Sequence, residues 1–281
     1  MSIVPFQALA CPLDGAPLHA HGASWRCAAG HCFDIAAHGY ANLLPVQQKR
    51  SLDPGDSKEM VAARRRFLNA GHYQPIAAAV SRAALAELPA NATIRSLDAG
   101  CGEGYYLRQL AAASGEGRTL AVLGLDISKW AVLSAAKQDK RPNWIVGSNA
   151  NLPVLPATLD LILCMFGFPV YGEFARVLKP GGVLLQVDAG PDHLRELREI
   201  IYPALKPERP VDTQVPAGFG WLSTETVRFT LAIDGAEQIA DLLAMTPHLY
   251  RASAEGRARA AALTALEVTV DVRLTRFGRL A

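Results

Sequence analysis

Leu97-Asp98-Ala99-Gly100-Cys101-Gly102-Glu103-Gly104 is the stretch on which the reading of this chain turns. It starts as the end of an apolar strand, passes through three glycines at alternate positions and enters a helical pattern. Glycines at such positions let the backbone turn sharply and let a ligand approach main-chain atoms that a Cβ would shield. The same turn aims the first amides of the following helix at whatever binds there. Glycine clusters also make ordinary strand-to-helix turns, so the neighbouring sequence has to decide. Asp126 lies 22 residues after Gly104 and closes Leu123-Gly124-Leu125-Asp126, a second apolar strand ending in an acid. Such an acid can accept hydrogen bonds from a ribose diol. A competing role for Asp126 is N-cap of the next helix, which Ser128 could fill equally well.

Outward from this turn, apolar segments alternate with helical ones. Strands are expected at 94–99, 120–126, 143–147, 159–166 and 182–188, and helices at 103–113, 128–137 and 172–178. Strands alternating with helices imply a parallel, doubly wound sheet that binds ligands at the carboxyl ends of its strands. Two β-rich stretches in the tail, 226–233 and 268–275, flank a helix from Glu237 and are expected to join as an antiparallel pair. The fold class is therefore α/β, a Rossmann-like sheet of seven strands.

The spacing of Gly100, Gly102 and Gly104 behind Asp98 departs from the dinucleotide fingerprint. It resembles the first motif of the class I S-adenosylmethionine (SAM) methyltransferases, with Asp126 matching the second. Asn149 and Ser148 follow the third strand, where an adenine edge would lie. The Leu178-Lys179-Pro180-Gly181-Gly182 turn into the fifth strand is another feature of that class.

With 281 residues, half of them hydrophobic, the chain can bury a substantial core, and one full domain with smaller additions is expected. A net charge of +2 decides nothing about polyanion binding. The sequence has no run of eighteen apolar residues and no signal-peptide pattern, so a soluble, cytoplasmic protein without membrane contact is expected. Five cysteines do not form a disulfide pattern, and Cys101 and Cys164 read as buried thiols.

Residues 1–42 hold three of the five cysteines and read as a small zinc-ribbon-like module; 43–93 are a linker and helices; 94–281 are the catalytic domain. Cys11 and Cys27 lie in two turns, and Cys27 and His31 have a spacing suited to zinc. Asp14 stands where a second cysteine is usual, and Cys32 is an unplaced thiol. Either Asp14 completes a tetrahedron, or the metal is lost and the ribbon packs through Leu13, Leu18, Trp25 and Phe33. Ser57 is the expected N-cap of a helix reaching Ala70, and Pro75 suits the first turn of the next, to Leu88. Lys49, Arg50, Arg64, Arg65 and Arg66 read either as a phosphate-contacting face or as a solvated surface. Residues 207–220, rich in proline and glycine, are expected to form a mobile loop.

A narrower resemblance rests on long runs: His38-Gly39-Tyr40-Ala41-Asn42-Leu43-Leu44-Pro45-Val46-Gln47, Asp53-Pro54-Gly55-Asp56-Ser57, Ala70-Gly71-His72-Tyr73-Gln74-Pro75 and Asp98 to Tyr106. Through these the chain resembles the bacterial 23S rRNA (guanine-N1)-methyltransferases, which methylate a guanine in a hairpin of the large-subunit RNA. The resemblance implies that Gly102 and Glu103 contact SAM, and that Tyr73 and His193 line its site. It also implies zinc ligands at Cys11, Asp14, Cys27 and His31, a ribbon that helps grip RNA, and a homodimer. The run Phe166-Gly167-Phe168-Pro169-Val170 departs from the family at the place expected for the target base. Phe166 and Phe168, with Tyr171, could clamp that base, and His193 or Asp188 could accept the proton from guanine N1. Competing readings are a SAM methyltransferase of a small metabolite and a non-catalytic RNA-binding protein with a vestigial cofactor fold.

Overall fold

The computed structural model describes residues 2–49, 51–86, 88–89, 92–115, 117–205 and 214–281. Its strands are β1 (Ser2–Pro5), β2 (His19–His21), β3 (Ser24–Arg26), β4 (Cys32–Asp34), β5 (Tyr40–Asn42), β6 (Thr93–Ala99), β7 (Thr119–Asp126), β8 (Asn143–Val146), β9 (Leu159–Met165), β10 (Leu178–Ala189), β11 (Phe219–Asp234) and β12 (Ala265–Arg279). The α-helices are α1 (Lys58–Asn69), α2 (Gln74–Leu85), α3 (Tyr105–Ala113), α4 (Lys129–Gln138), α5 (Tyr171–Val177), α6 (Arg195–Ile201), α7 (Ala236–Ala244), α8 (His248–Arg251) and α9 (Ala254–Ala261). Of the expected mobile loop, residues 207–213 lie outside the described residues; Phe219 and Gly220 are already strand.

The main sheet runs β11-β12-β10-β9-β6-β7-β8-β5. The strands β6 to β10 run parallel to one another, while β12 is antiparallel to both β10 and β11. The tail thus supplies the antiparallel addition expected of it. Burial on both faces explains the near-continuous apolar character of the central strands; six consecutive residues of β7, Leu120 to Leu125, are buried.

The expectation of seven strands needs correction, because the sheet has nine among the described residues. β5 pairs in parallel with β8 at one edge, and β1 pairs in parallel with the first half of β7. Each is only three or four residues long, too short for its alternation to stand out. Between them β2, β3 and β4 form a separate three-stranded sheet. A sheet this small cannot bury enough apolar surface by itself. It shares a core: Leu9, Leu18 and Trp25 belong to the same buried cluster as Leu97, Leu123 and Ile162. Leu13, which the metal-free alternative would pack inside, is 54% exposed.

Local caps follow the sequence. Ser57 accepts from the Met60 amide and starts α1, and Ser128 accepts from the Ala131 amide and starts α4. Ser128, not Asp126, is therefore the N-cap. Gly104 shows why the third glycine of the turn is required. Its φ is +81°, and a Cβ there would sit 2.6 Å from Trp144, which fills the space beneath the turn.

Candidate functional site

The carboxyl ends of β6, β7, β9 and β10 open into one cavity of about 1290 Å³. Gly100 and Gly102 line it at φ of +100° and +54°, conformations that favour glycine. Tyr73, Asp126, Asn149, Phe166, Phe168, Asp188 and His193 line the same cavity, as does Glu103. Asp98 and Gly104 do not reach its wall. Gly104 packs on Trp144, and Asp98 lies directly below the turn, 1% exposed.

Two carboxylates under the turn behave differently. Asp126 holds the turn: its Oδ2 accepts from the Gly102 amide at 2.9 Å and its Oδ1 from the Ser128 amide at 2.8 Å. Both oxygens of Asp98 are buried without a partner among the described residues. Burial, reinforced by the charge of Asp126, pushes the Asp98 carboxyl up to about 8. The buried Asn149 Oδ1 also lacks a partner. Asn149 lines the cavity, so its orphaned oxygen is one that a polar ligand there would satisfy. Glu103 is turned differently: its carboxylate is bound by Arg108 at 2.9 Å and by Gln138, leaving its backbone on the cavity wall.

His193 and Tyr73 meet at the far side, with Tyr73 Oη 3.4 Å from His193 Nε2. His193 Nδ1 accepts the Asp271 amide at 3.3 Å, so the proton of the neutral ring sits on Nε2. Burial pushes its pKa down to about 4, which keeps the ring neutral at physiological pH. Phe166 stacks on His193 at 5.8 Å between centroids, held there by an unusual φ of +52°. Phe168 projects at the cavity mouth and is 88% exposed.

Several lining residues were not expected at this cavity. Arg64 Nη2 donates to the Met245 carbonyl at 2.9 Å, and its Nη1 pairs with Asp56. The segment Met245 to His248 reaches the cavity from well over a hundred residues beyond the glycine turn, a juxtaposition only the packing of α7 on α1 creates. The expected cationic face is partly taken up in ion pairs: Arg66, though exposed, is bound to Asp241 at 2.8 Å by Nε, and Arg64 as described. Arg65 is exposed, and Arg50 lies outside the described residues.

A second site gathers Cys11, Asp14, Cys27 and His31, whose ligand atoms lie within 4.8 Å of one another. His31 Nδ1 is 3.4 Å from Cys11 Sγ, 3.3 Å from Cys27 Sγ and 3.1 Å from Asp14 Oδ2. Tetrahedral zinc at usual bond lengths separates its sulfur, nitrogen and oxygen ligands by about 3.3–3.6 Å. Two thiols, one imidazole and one carboxylate in this arrangement fit zinc. Asp14 is aimed inward because its other oxygen accepts the Ala16 amide at 2.9 Å. Cys32 is exposed and outside the cluster.

A glycine turn between a parallel strand and helix, an acid on the next strand and the reversed strand β12 between β10 and β11 define a class I methyltransferase. A model described as a methyltransferase domain matches residues 97–182, and one described as "RlmA, N-terminal", a zinc ribbon, matches residues 9–52. A Streptomyces fradiae protein named 23S rRNA (guanine(748)-N(1))-methyltransferase is 32% identical over 95% of both chains. A Micromonospora griseorubida protein, provisionally named 23S rRNA (guanine-N(1)-)-methyltransferase, is 36% identical over 96% of both. YxjB of Bacillus subtilis, with a name of the same provisional kind, is 30% identical over 96% of both. The chain belongs to the 23S rRNA (guanine-N1)-methyltransferase family.

Proposed function

We propose that this protein transfers a methyl group from SAM to N1 of a guanine in a hairpin of 23S rRNA. The observation that carries this reading is the near-complete alignment with the Streptomyces fradiae enzyme, which spans ribbon, connector and catalytic sheet together. SAM, when bound, supplies an electrophilic methyl on a sulfonium. Gly100 and Gly102 would let it approach the backbone, Asp126, Asn149, Tyr73 and His193 would satisfy its polar groups, and Asp98 would act from beneath the turn, behind the cavity wall. Glu103 would contribute through its backbone, and Gly104 by setting the turn.

A base in a stacked hairpin must leave its neighbours to reach the methyl, at a cost of a few kcal/mol. Phe166, fixed on His193, and Phe168, exposed at the mouth, offer it apolar faces in exchange. Rate then comes largely from holding N1 in line with the methyl. His193 orients rather than deprotonates, since its cavity-facing nitrogen already carries a proton.

The module over residues 1–42 would bind RNA with zinc held by Cys11, Asp14, Cys27 and His31, followed by the connector 43–93 and the catalytic domain 94–281. We further propose a cytoplasmic homodimer, checked by light scattering in solution and by fractionation; no described helix is long and apolar enough to cross a membrane. The deciding experiment incubates the protein with methyl-labelled SAM and 23S rRNA and maps the label. Label at N1 of one guanine is expected. Label elsewhere, or on small metabolites only, would overturn the reading.

A further inference from the structure

Guanine N1 carries a proton at neutral pH, and a methylated N1 cannot keep it, so the cavity needs an acceptor. Among the described residues four acidic ones line the cavity: Asp56, Glu103, Asp126 and Asp188. Three are committed elsewhere. Asp56 pairs with Arg64, Glu103 with Arg108 and Gln138, and Asp126 with two backbone amides.

Asp188 differs. It lies one residue before the end of β10, which runs beside β9, where Val187 pairs with Met165 and the Phe166 amide donates to the Val187 carbonyl at 2.8 Å. The aromatic segment therefore leaves the sheet alongside this carboxylate. Tyr171 Oη donates to Gln186 Oε1 at 3.0 Å, which turns the Gln186 amide so that Nε2 donates to Asp188 Oδ2 at 2.8 Å. That arrangement fixes one carboxylate oxygen as an acceptor and leaves Oδ1 without a protein hydrogen bond among the described residues. Arg273 is its register partner on β12, yet no ion pair within 4.0 Å joins Asp188 to a cation among the described residues. The other titratable groups nearby are Asp98 and Cys164, whose thiol burial pushes up to about 12 with Asp98 and Asp188 adding to the effect. His248 on α8 is the remaining neutral base, with Nδ1 2.8 Å from Tyr202 Oη.

Resting on the guanine-N1 reading above, we propose that Asp188 is the catalytic residue that accepts the N1 proton, positioned by Gln186 and Tyr171. Asp188 Oδ1 takes the proton as the N1 electron pair forms the bond to the methyl carbon. The carbon–sulfur bond breaks, its electrons stay on sulfur as a neutral thioether, and the carboxylate ends as a neutral acid. The sulfonium and carboxylate charges cancel, so the step needs no further reactant.

The test measures single-turnover methylation of the rRNA hairpin against pH, with S-adenosylhomocysteine affinity measured by calorimetry as a second readout. Asp188→Asn is expected to slow transfer by about 10²–10³-fold. Its rate should climb tenfold per pH unit across a range where the wild type has levelled off, with S-adenosylhomocysteine affinity unchanged. Asp188→Glu, which displaces the base without removing it, is expected to be slower than wild type with the wild-type profile shape. A wild-type rate and profile in Asp188→Asn, or a slowed rate with an unchanged profile, overturns the proposal. So does a hydroxide-dependent profile appearing in His248→Asn and not in Asp188→Asn. If the wild type places no methyl on guanine N1, the functional reading itself fails and this proposal with it.

Discussion

Asp98 is the residue whose replacement tests the site most directly, because the fold itself bears the cost of keeping it. The carboxyl is 1% exposed, both oxygens lack partners, and its pKa is raised from the ordinary 3.8 to about 8. In the unfolded chain the group ionises above 3.8, while the folded protein keeps it protonated up to about 8. Over that window the unfolded state binds fewer protons, so stability is greatest at low pH and is lost as pH rises, at about 1.4 kcal/mol per pH unit. Between pH 5.5 and pH 7.5 the contribution of Asp98 to the ligand-free protein therefore falls by about 2.7 kcal/mol. Asp98→Asn removes this dependence, since the amide does not titrate. The variant is expected to be more stable than the wild type at pH 7.5 by about 2–4 kcal/mol, after discounting about 1–3 kcal/mol for a buried amide that also lacks partners. Urea unfolding followed by tryptophan fluorescence at the two pH values measures the difference, and comparing variant with wild type cancels the other titrating groups. Equal pH slopes for the two proteins would refute the argument that Asp98 is held protonated beneath the turn.

Three other outcomes are expected. Purified protein should contain one zinc per chain by elemental analysis; Cys27→Ala should abolish it, and Asp14→Cys should retain it with higher affinity because thiolate is the softer ligand. Phe168→Ala should slow single-turnover methylation by about tenfold while leaving SAM affinity nearly intact, as expected for an exposed stacking face worth about 1–3 kcal/mol per base; an equal rate would remove Phe168 from the clamp. Gly104→Ala should destabilise the fold by about 2–4 kcal/mol in urea unfolding, since its Cβ would meet Trp144 at 2.6 Å from a backbone with φ of +81°.

The sequence by itself determined the elements whose cause is local. Alternating apolar and helical periodicity set the parallel strands, and the glycine turn followed from residues that admit positive φ at Gly100, Gly102 and Gly104. Ser57 and Ser128 capped helices because their hydroxyls reach amides three residues on, and the antiparallel tail was visible because its strands are long. Spacing also marked Cys11 with Asp14 and Cys27 with His31 as two turn pairs, while the meeting of the two pairs was left to the fold of the ribbon. Tertiary structure alone decided the rest. The short strands β1 and β5 exist because β7 and β8 offer unpaired backbone edges, which no local pattern announces. Arg64 and Met245 to His248 reach the cavity through the packing of α1 on α7, a contact between residues far apart in the chain. The glycine turn, read from sequence as one functional unit, divides in three dimensions. Gly100 and Gly102 face the cavity, Gly104 packs on Trp144, and Asp126 ties the loop down while Asp98 waits unpaired beneath it. Residue type and spacing name the groups that can bind or react; which of them is left without a partner depends on what the rest of the fold brings within hydrogen-bonding distance.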